Sequence, residues 1–414
     1  MNLRCRNILY LCSLFCLLGS ASAIAQVNTD KKIIWFDGAK PLSALTEQDI
    51  VQGAKAFDGF VIQGMSGSKD NVKQGENFAW QVFSDRSYTL DPNDASRDYV
   101  GDSLITLKRL PANLMPERFI RINAAPYHPG AFDWLNNAYW DNVVHNMGVA
   151  SQIASQAGLR GFFLDTEPYN SHLYNYNEWT GNPAYQGMSY DQLAAIAEKR
   201  GMQVMQALNS SMNSPYIIIS FGYITVSQHI ARSQLPRTGS LLIPFLDGML
   251  KASTLSTTFA DGFEEAYWHD DTPDYFNRWR VAITGPKQYN VRFQKYPDRY
   301  LEQWQLSAGL FLDRDRDTQR HSGVYGWCGD AKDRLFYSPG RLAFTVQQAA
   351  RAVDKYVWVY TSGVNVWQPQ GMQLALPSSY IDAIRKGMYY GNNPALGSLP
   401  PNIQDGLKAS ICGQ

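Results

Sequence analysis

The chain has 414 residues, and 37 lysines and arginines balance 37 aspartates and glutamates, for a formal net charge of zero. With 45% hydrophobic and 18% charged residues, the composition excludes a disordered chain, a collagen and a small disulfide-stapled scaffold. The lack of a basic surplus also argues against a sequence-independent nucleic-acid binder. The length allows two or three domains, but barrels of this size commonly form one.

An apolar run over residues 8–18 follows two arginines and precedes a stretch of small residues. This order is typical of a secretory signal peptide, and we expect cleavage after Ala25 rather than after Ala23, which removes residues 1–25. The alternative is an uncleaved membrane anchor, but the run is short for the roughly 30 Å of hydrocarbon in a bilayer. The sequence therefore predicts a secreted or periplasmic protein that has no membrane segment after cleavage.

Signal-peptide cleavage would leave two of the five cysteines, Cys328 and Cys412. Two cysteines in an exported protein predict one disulfide, which would tie the C-terminus to a loop near residue 328. The alternative is a pair of free buried thiols.

Short apolar runs that end in polar residues alternate with segments of helical periodicity along the rest of the chain. The predicted strands are 33–38, 57–63, 119–124, 161–167, 216–223, 261–267, 306–313 and 356–362. The clearest predicted helices are 140–158, 190–208 and 341–353. Near-continuous apolar runs suit parallel strands buried on both faces.

Eight strand–helix units predict an α/β fold of the (β/α)8 TIM-barrel type, formed by one domain over residues 26–414. The long segment between strands two and three predicts a loop or insertion over the barrel mouth, and the tail from about residue 368 should wrap the outside. The runner-up is an open doubly wound sheet, but no G-x-G-x-x-G follows the first strand.

Barrels of this class carry their chemistry at the C-terminal ends of the strands. In this chain those ends are rich in polar side chains: Asp37, Gln63, Asn123, Asp165, Glu167, Glu264, Glu265 and Asp313. One polar strand end is ordinary helix capping, but carboxylates at four strand ends favour a functional site. Asp37, Asn123 and Asp313 are candidate substrate-binding residues.

The most informative motif is Leu-Asp-Thr-Glu-Pro-Tyr over residues 164–169. Since successive strand side chains alternate faces, Asp165 and Glu167 point the same way, while Phe162 and Leu164 point outward to the helices. Two carboxyl groups so close together cannot both ionise freely, so one pKa should rise. The motif therefore predicts a protonated acid beside a charged partner, as general-acid catalysis requires.

A barrel whose fourth strand ends in Asp-x-Glu resembles the glycoside hydrolases, in particular the chitinase-type and lysozyme-like barrel families. The resemblance implies that Glu167 is the proton donor and Asp165 its partner. Chitinase-type strands usually carry further aspartates where this chain has Phe163 and Gly161. The resemblance therefore does not extend to catalysis assisted by an N-acetyl group of the substrate.

The sixth predicted strand supplies the second carboxylate. Strand parity directs Gly262 and Glu264 into the barrel and Phe263 outward, and Glu265 is the next candidate. The alternative is that one of these glutamates pairs with Arg121 inside the barrel. The resemblance to retaining barrel glycosidases would place a glutamate nucleophile at the end of strand seven. This chain has an aspartate there.

Aromatic residues near the strand ends predict a sugar-binding cleft, because sugar rings stack on flat apolar faces. The candidates are Tyr169, Tyr174, Tyr176, Trp179, Tyr223, Tyr267, Trp268 and Trp358. The alternative for Trp358, which lies on a predicted strand, is core packing. The tyrosines and the tryptophan that follow the Asp-x-Glu motif lie in a polar loop, which favours a cleft.

The acidic run 313–317 resembles the start of a calcium loop, but Thr318 and Val324 occupy positions that an EF-hand gives to glycine and glutamate. We therefore expect no metal and no cofactor, and we expect a carbohydrate as the partner. The leading interpretation is an exported glycosidase. The alternatives are a non-catalytic carbohydrate-binding barrel and a polysaccharide-modifying transglycosylase. The sequence does not fix the sugar, the linkage, the stereochemistry or the oligomeric state.

Overall fold

A computed structural model describes most of the chain between residues 30 and 399. The described ranges are 30–36, 41–65, 77–125, 132–167, 173–226, 240–268, 273–284, 290–291, 294–313, 337–361, 364–367 and 374–399. The predicted signal peptide, Cys328 and Cys412 lie outside these ranges, as do Asp37 and Tyr169.

Parallel strands form the centre of the molecule. The strands are β1 (Lys32–Phe36), β2 (Gly59–Ile62), β3 (Tyr88–Thr89), β4 (Asp98–Tyr99), β5 (Glu117–Asn123), β6 (Gly161–Asp165), β7 (Tyr216–Ile219), β8 (Thr258–Asp261), β9 (Trp304–Leu306), β10 (Ala308–Phe311), β11 (Tyr356–Tyr360), β12 (Val364–Asn365) and β13 (Leu374–Ala375). Nine of them form one sheet in the order β10-β11-β1-β2-β5-β6-β7-β8-β9.

The sheet closes on itself. Every neighbouring pair in it is parallel, β9 pairs with β8, and β10 pairs with β11. Because only Ser307 separates β9 from β10, the two act as one interrupted strand. The nine strands therefore occupy eight barrel positions, which confirms the predicted (β/α)8 TIM barrel.

Helices follow the barrel strands. They are α1 (Glu47–Gly53), α2 (Phe78–Gln81), α3 (Gly101–Arg109), α4 (Asn137–Gln156), α5 (Tyr176–Thr180), α6 (Tyr190–Asn209), α7 (Leu242–Ala252), α8 (Pro273–Thr284), α9 (Pro297–Gln303), α10 (Pro339–Ala352) and α11 (Ser378–Asn392). The predicted helices correspond to α4, α6 and α10. Ser189 caps α6 through a reciprocal pair of hydrogen bonds with Gln192, and Ser338 caps α10. Among the described residues, no helix is both long and apolar enough to cross a bilayer.

Two apolar layers follow the strand alternation. Inside the barrel, Phe163 packs with side chains such as Phe36 and Trp358. Phe162 and Leu164, its neighbours along β6, belong to the larger cluster between the barrel and the helices. Side chains along the fourth barrel strand therefore alternate inward and outward as predicted, and Asp165 points inward.

The segment between β2 and β5 is an insertion that contains α2, α3 and a small parallel sheet of β3 and β4. The tail contains a helix that the sequence analysis did not predict. This helix, α11, packs along α10. Close approach is possible because Gly387 has no side chain, and a Cβ there would lie 2.6 Å from the Ala343 carbonyl oxygen. Arg385 joins α11 to the barrel through hydrogen bonds to Ala54 and Asp58.

The sixth barrel strand lies earlier than predicted. It covers Thr258–Asp261, and Glu264–Trp268 forms a 3-10 helix instead of continuing the strand. The extended conformation ends because Phe263 has a φ of 49°. This φ lies in the left-handed region, where a strand cannot continue. The predicted strand over 261–267 is therefore wrong in its position, although its C-terminal end still lies at the barrel mouth.

Candidate active site

Three carboxylates converge at the C-terminal mouth of the barrel. One oxygen of each of Asp165, Glu167 and Glu264 lies within 4.8 Å of the others. Asp165 is buried, whereas Glu167 and Glu264 are partly exposed. The cluster therefore has one buried carboxyl group and two that reach toward solvent.

Hydrogen-bond donors meet both oxygens of Asp165. Its Oδ1 accepts from the Ser220 hydroxyl at 3.0 Å and from the Glu167 backbone N–H at 3.1 Å. Its Oδ2 accepts from the Arg121 guanidinium, through Nε at 3.1 Å and through Nη2 in the ion pair. Four donors on one buried carboxylate hold it in place as an anion. Asp165 therefore acts as a fixed negative charge at the end of β6.

Arg121 is the buried cation of the site and is 1% exposed. Besides Asp165, its guanidinium donates to Gln63 Oε1 at 3.1 Å and to Asn123 Oδ1 at 3.5 Å. Its guanidinium carbon lies 3.7 Å from the centre of the Trp80 ring on α2, which is a cation–π contact. In the structure Arg121 forms an ion pair with Asp165 of the fourth strand.

Glu264 reaches the cluster through a sharp corner in the chain. Gly262 follows β8, its N–H donates to the Ile219 carbonyl at 2.6 Å, and the Glu264 N–H donates to the Ser220 carbonyl at 3.2 Å. Between them, Phe263 adopts its left-handed φ and buries its ring against Tyr275. Such a conformation costs a bulky residue roughly 1–2 kcal/mol. The corner directs Phe263 outward and Glu264 inward, as strand parity predicted.

Surrounding protein raises the pKa of the Glu264 carboxyl well above its ordinary value, even though part of the side chain reaches solvent. Desolvation is the largest cause, followed by the negative charges of Asp165 and Glu167. Arg121 opposes the increase. Carboxyl groups that interact this closely titrate together. Burial and the two neighbouring carboxylates therefore favour the protonated form of Glu264.

Glu265 does not join the cluster of three carboxylates. It is partly exposed, and its charge acts on Asp261 at the end of β8. Burial is the main cause that raises the pKa of Asp261 to about 7, and Glu265 adds to the increase. Asp261 Oδ2 accepts the Ile224 N–H at 2.9 Å, so this aspartate joins two strand ends.

Two predicted substrate-binding residues are buried polar groups of the scaffold. Asn123 is 0% exposed and bonds to Arg121 and to the Ala125 carbonyl. Asp313 is also 0% exposed, and its Oδ2 accepts the Val364 N–H at 3.1 Å. Because neither side chain is accessible, the structure does not support direct contact of either with a substrate.

The aromatic candidates that the sequence placed on strands are core residues. Tyr223 comes after the end of β7, where the alternation of side chains has stopped, and its hydroxyl donates to Asp247 at 2.8 Å in the outer core. Trp358 is 1% exposed inside the barrel, and Tyr267 packs on it with ring centres 5.3 Å apart. Tyr223, Trp358 and Tyr267 are therefore all buried, and the structure does not support the predicted sugar stacking on Tyr223 or Trp358.

The aromatic residues that follow the Asp-x-Glu motif are half-buried. The Tyr174 hydroxyl donates to the Ala124 carbonyl at 3.2 Å, and the Trp179 indole donates to the Leu173 carbonyl at 2.8 Å. Both pack against the outer core. The Trp268 side chain lies outside the described part of the structure, like Asp37 and Tyr169.

Sequence reasoning missed two contributors to the site. Ser220, just after β7, bonds to Asp165 through its hydroxyl and to Glu264 through its carbonyl. Trp80 comes from the insertion, far from any strand end. A small polar residue directly after a strand was a signal for Ser220, but nothing local in the sequence indicated Trp80.

The three carboxylates are also close enough to suggest a cation site. The donor set does not fit one well, because Arg121, Ser220 and the Glu167 N–H already meet the oxygens of Asp165. A cation would be left with two partly exposed glutamates, whereas divalent cations take more oxygen ligands than that. The arrangement suits proton transfer between carboxyl groups better than metal binding.

Comparisons with known proteins find similarity in fold only. No family model matches it, and no curated protein matches it. Similar solved structures include a broad-specificity GH5-4 endoglucanase from Clostridium acetobutylicum, with 9% identity over 88% of this chain and 98% of that chain at a TM-score of 0.44. A GH18 chitinase from Pseudoalteromonas aurantia shares 9% identity over 86% of this chain and 99% of that chain, at a TM-score of 0.39.

An endonuclease IV from Thermus thermophilus is matched at a similar level, with 11% identity over 87% of this chain and 98% of that chain and a TM-score of 0.37. The similar structures named are mostly glycoside hydrolases. At these identities and TM-scores the likeness does not decide the chemistry, since one fold supports many activities. The activity has to be argued from the site.

Proposed function

We propose that the protein is a glycoside hydrolase that cleaves a poly- or oligosaccharide by carboxylate acid–base catalysis. The observation that supports this most is the convergence of Asp165, Glu167 and Glu264 at the barrel mouth. Glycoside hydrolysis commonly uses one protonated and one ionised carboxyl group on either side of the scissile bond. In this cluster burial and neighbouring charge favour the protonated form of Glu264, and Glu167 is the candidate for the ionised group.

We assign the two roles by environment. Glu264 is the carboxyl group whose pKa burial raises most clearly, so it is the candidate proton donor to the glycosidic oxygen. Glu167, partly exposed and two residues beyond the anchored Asp165, is then the nucleophile or the base. Asp165 stays paired with Arg121 and maintains the negative charge that favours the proton on Glu264. The resemblance to chitinase-type barrels implied the reverse order, with Glu167 as donor.

The spacing favours a retaining mechanism. Oxygens of Glu167 and Glu264 come within 4.8 Å of each other. Retaining enzymes hold their two carboxyl groups about 5–5.5 Å apart, whereas inverting enzymes leave about 6.5–9.5 Å for a water molecule. In this proposal Glu167 attacks the anomeric carbon while Glu264 protonates the leaving oxygen. Glu264, now ionised, then takes a proton from the water that releases the sugar.

Matched amide variants test the proposal. Glu167→Gln and Glu264→Gln should each lower the release of reducing ends at least about a hundredfold, since each removes a catalytic carboxyl group. Glu302→Gln, on the exposed face of α9, is the control and should keep full activity. Activity in both cluster variants equal to that of the wild type would overturn the proposal. Binding to a glycan panel with no hydrolysis would favour the non-catalytic carbohydrate-binding barrel instead.

The same variants distinguish the roles. An aryl glycoside with a very good leaving group needs no proton in the first step, so a variant that lacks only the acid keeps most of its kcat/KM for it, although the second step, in which the same residue is the base, is slowed. We expect that behaviour for Glu264→Gln, whereas Glu167→Gln should be inactive on good and poor leaving groups alike. The opposite pattern would assign proton donation to Glu167 and leave the glycosidase proposal standing.

Export and the disulfide remain predictions from the sequence. We propose that the first 25 residues direct secretion or delivery to the periplasm and that Cys328 pairs with Cys412 there. The mass of the exported protein, measured with and without a reducing agent and a thiol-alkylating reagent, tests both predictions.

A further inference from the structure

A buried indole on one barrel strand bonds to the residue that follows another, two positions before Glu264. Trp358 lies on β11, and its indole N–H donates to the carbonyl of Gly262, just beyond the end of β8, at 2.7 Å. Gly262 is the residue between the end of β8 and the left-handed Phe263, and Glu264 follows. The hydrogen bond therefore ends on the peptide group that begins the corner.

The indole has little freedom to move. Its ring packs against Phe163 with ring centres 4.9 Å apart and against Phe36 at 5.5 Å. On the β10 side, a Cβ on Gly309 would lie only 2.5 Å from the indole Cζ2 atom, so a glycine there leaves room for the ring. Aromatic packing on several sides fixes where the indole N–H points.

We infer that Trp358 is a positioning residue for Glu264, and that its N–H keeps the Gly262–Phe263 peptide in the orientation that directs Glu264 toward Glu167. For Phe263 to leave its left-handed conformation, this peptide must rotate, and rotation would break the bond to the indole. The geometry is the same whatever the substrate. The catalytic consequence rests on the proposed function.

The charges around Glu264 make its position measurable. Asp165 and Glu167 face it from the end of β6, Arg121 from β5 and the Tyr360 hydroxyl from β11. If the corner relaxes, Glu264 moves away from the two carboxylates and toward solvent. Its proton should then dissociate at lower pH, since both causes of the raised pKa weaken.

Trp358→Phe tests the inference, with Trp140→Phe as the matched control. Trp140 is also fully buried, and its indole also donates to a backbone carbonyl, that of Asp133 at 3.0 Å, but in the outer core. The readout is the ¹³C titration of the Glu264 carboxyl, assigned by its loss in Glu264→Gln. We expect its midpoint to fall by about one pH unit or more in Trp358→Phe and to stay unchanged in Trp140→Phe.

A second variant covers the case in which Trp358→Phe fails to fold. Benzothienylalanine at position 358 replaces the indole N–H by sulfur and keeps the ring volume, and it should lower the midpoint in the same direction. With a glycoside substrate, we expect kcat to fall about tenfold while KM stays within about twofold, because bound substrate still finds its site.

An unchanged midpoint in a folded position-358 variant would overturn the inference, and so would an equal shift in Trp140→Phe. A wild-type protein without glycosidase activity would instead overturn the proposed function, because the titration requires no substrate.

Discussion

The ends of the fourth and sixth barrel strands each bring a carboxyl group to the same point by different means. Asp165 ends a regular strand, and four donors fix it beside Arg121. Glu264 lies beyond a left-handed corner, and its nearest charges include two other carboxylates. The first arrangement surrounds a carboxylate with donors, and the second raises the pKa of a carboxyl group by burial and like charge. One barrel mouth can therefore hold carboxyl groups of different proton affinity within a few ångströms.

Removing Arg121, the cation that pairs with Asp165 at the end of the fourth strand, should have the largest effect on stability. Arg121→Met takes away the guanidinium and leaves the buried Asp165 carboxylate without its ion-pair partner. We expect the free energy of unfolding to fall by about 3–5 kcal/mol, as it does when one partner of a buried pair is lost. Urea denaturation at neutral pH measures this change.

The double variant Arg121→Met with Asp165→Asn is the control, because it leaves no buried charge. It should recover part of the stability that Arg121→Met loses. If Arg121→Met alone costs less than about 1 kcal/mol, Asp165 is not the fixed anion described above, and the contrast between the two strand ends disappears.

The sequence predicted those parts of the site that lie within a regular strand. Along β6 the period of two directs Phe162 and Leu164 outward and Asp165 inward, and the structure shows this arrangement. The convergence of Asp165 with Glu264 also followed from parity, because the corner at Phe263 happens to preserve the inward direction. Local alternation is a strong physical constraint as long as the strand continues.

Prediction became weak where strands end and where partners come from distant segments. Tyr223 follows the last residue of β7, so its direction depends on the next turn and not on alternation. Which carboxylate forms the ion pair with Arg121 depends on which strands are neighbours in the barrel. Trp80 reaches the site from an insertion whose course the sequence did not reveal. These features are set by tertiary packing, which a local pattern does not encode.

A second prediction concerns the sixth-strand end, where Asp261 is buried with its pKa raised to about 7. Because this pKa is higher in the folded state than in the unfolded chain, protonation of Asp261 stabilises the folded state at low pH. The stability should therefore fall as the pH rises from about 4, where the unfolded carboxyl ionises, to about 7. In Asp261→Asn this part of the decrease, about 2–4 kcal/mol, should be absent.

Unfolding experiments at several pH values between 4 and 8 measure this difference. Burial also raises the pKa of Asp247 to about 7 in the outer core, and the pKa of Glu264 is raised as well, so Asp261→Asn keeps other contributions of the same sign. Asp247→Asn is therefore the matched comparison, and each variant should remove its own share. An Asp261→Asn profile parallel to that of the wild type would mean that this carboxyl group is ionised in the folded protein.

The smallest effect, and the sharpest comparison, comes from Ser220, which contacts both strand ends. Ser220→Ala removes the hydroxyl that donates to Asp165 but leaves the carbonyl that accepts the Glu264 N–H. We expect a loss of about 1–3 kcal/mol in unfolding free energy, because the Thr166 N–H loses its acceptor in a buried place. The Glu264 titration midpoint should move little, since the corner at Phe263 is intact and Arg121 still holds Asp165. A large shift of that midpoint would show that the two strand ends form one coupled unit, so that the separate supports described for Asp165 and Glu264 could not be treated independently.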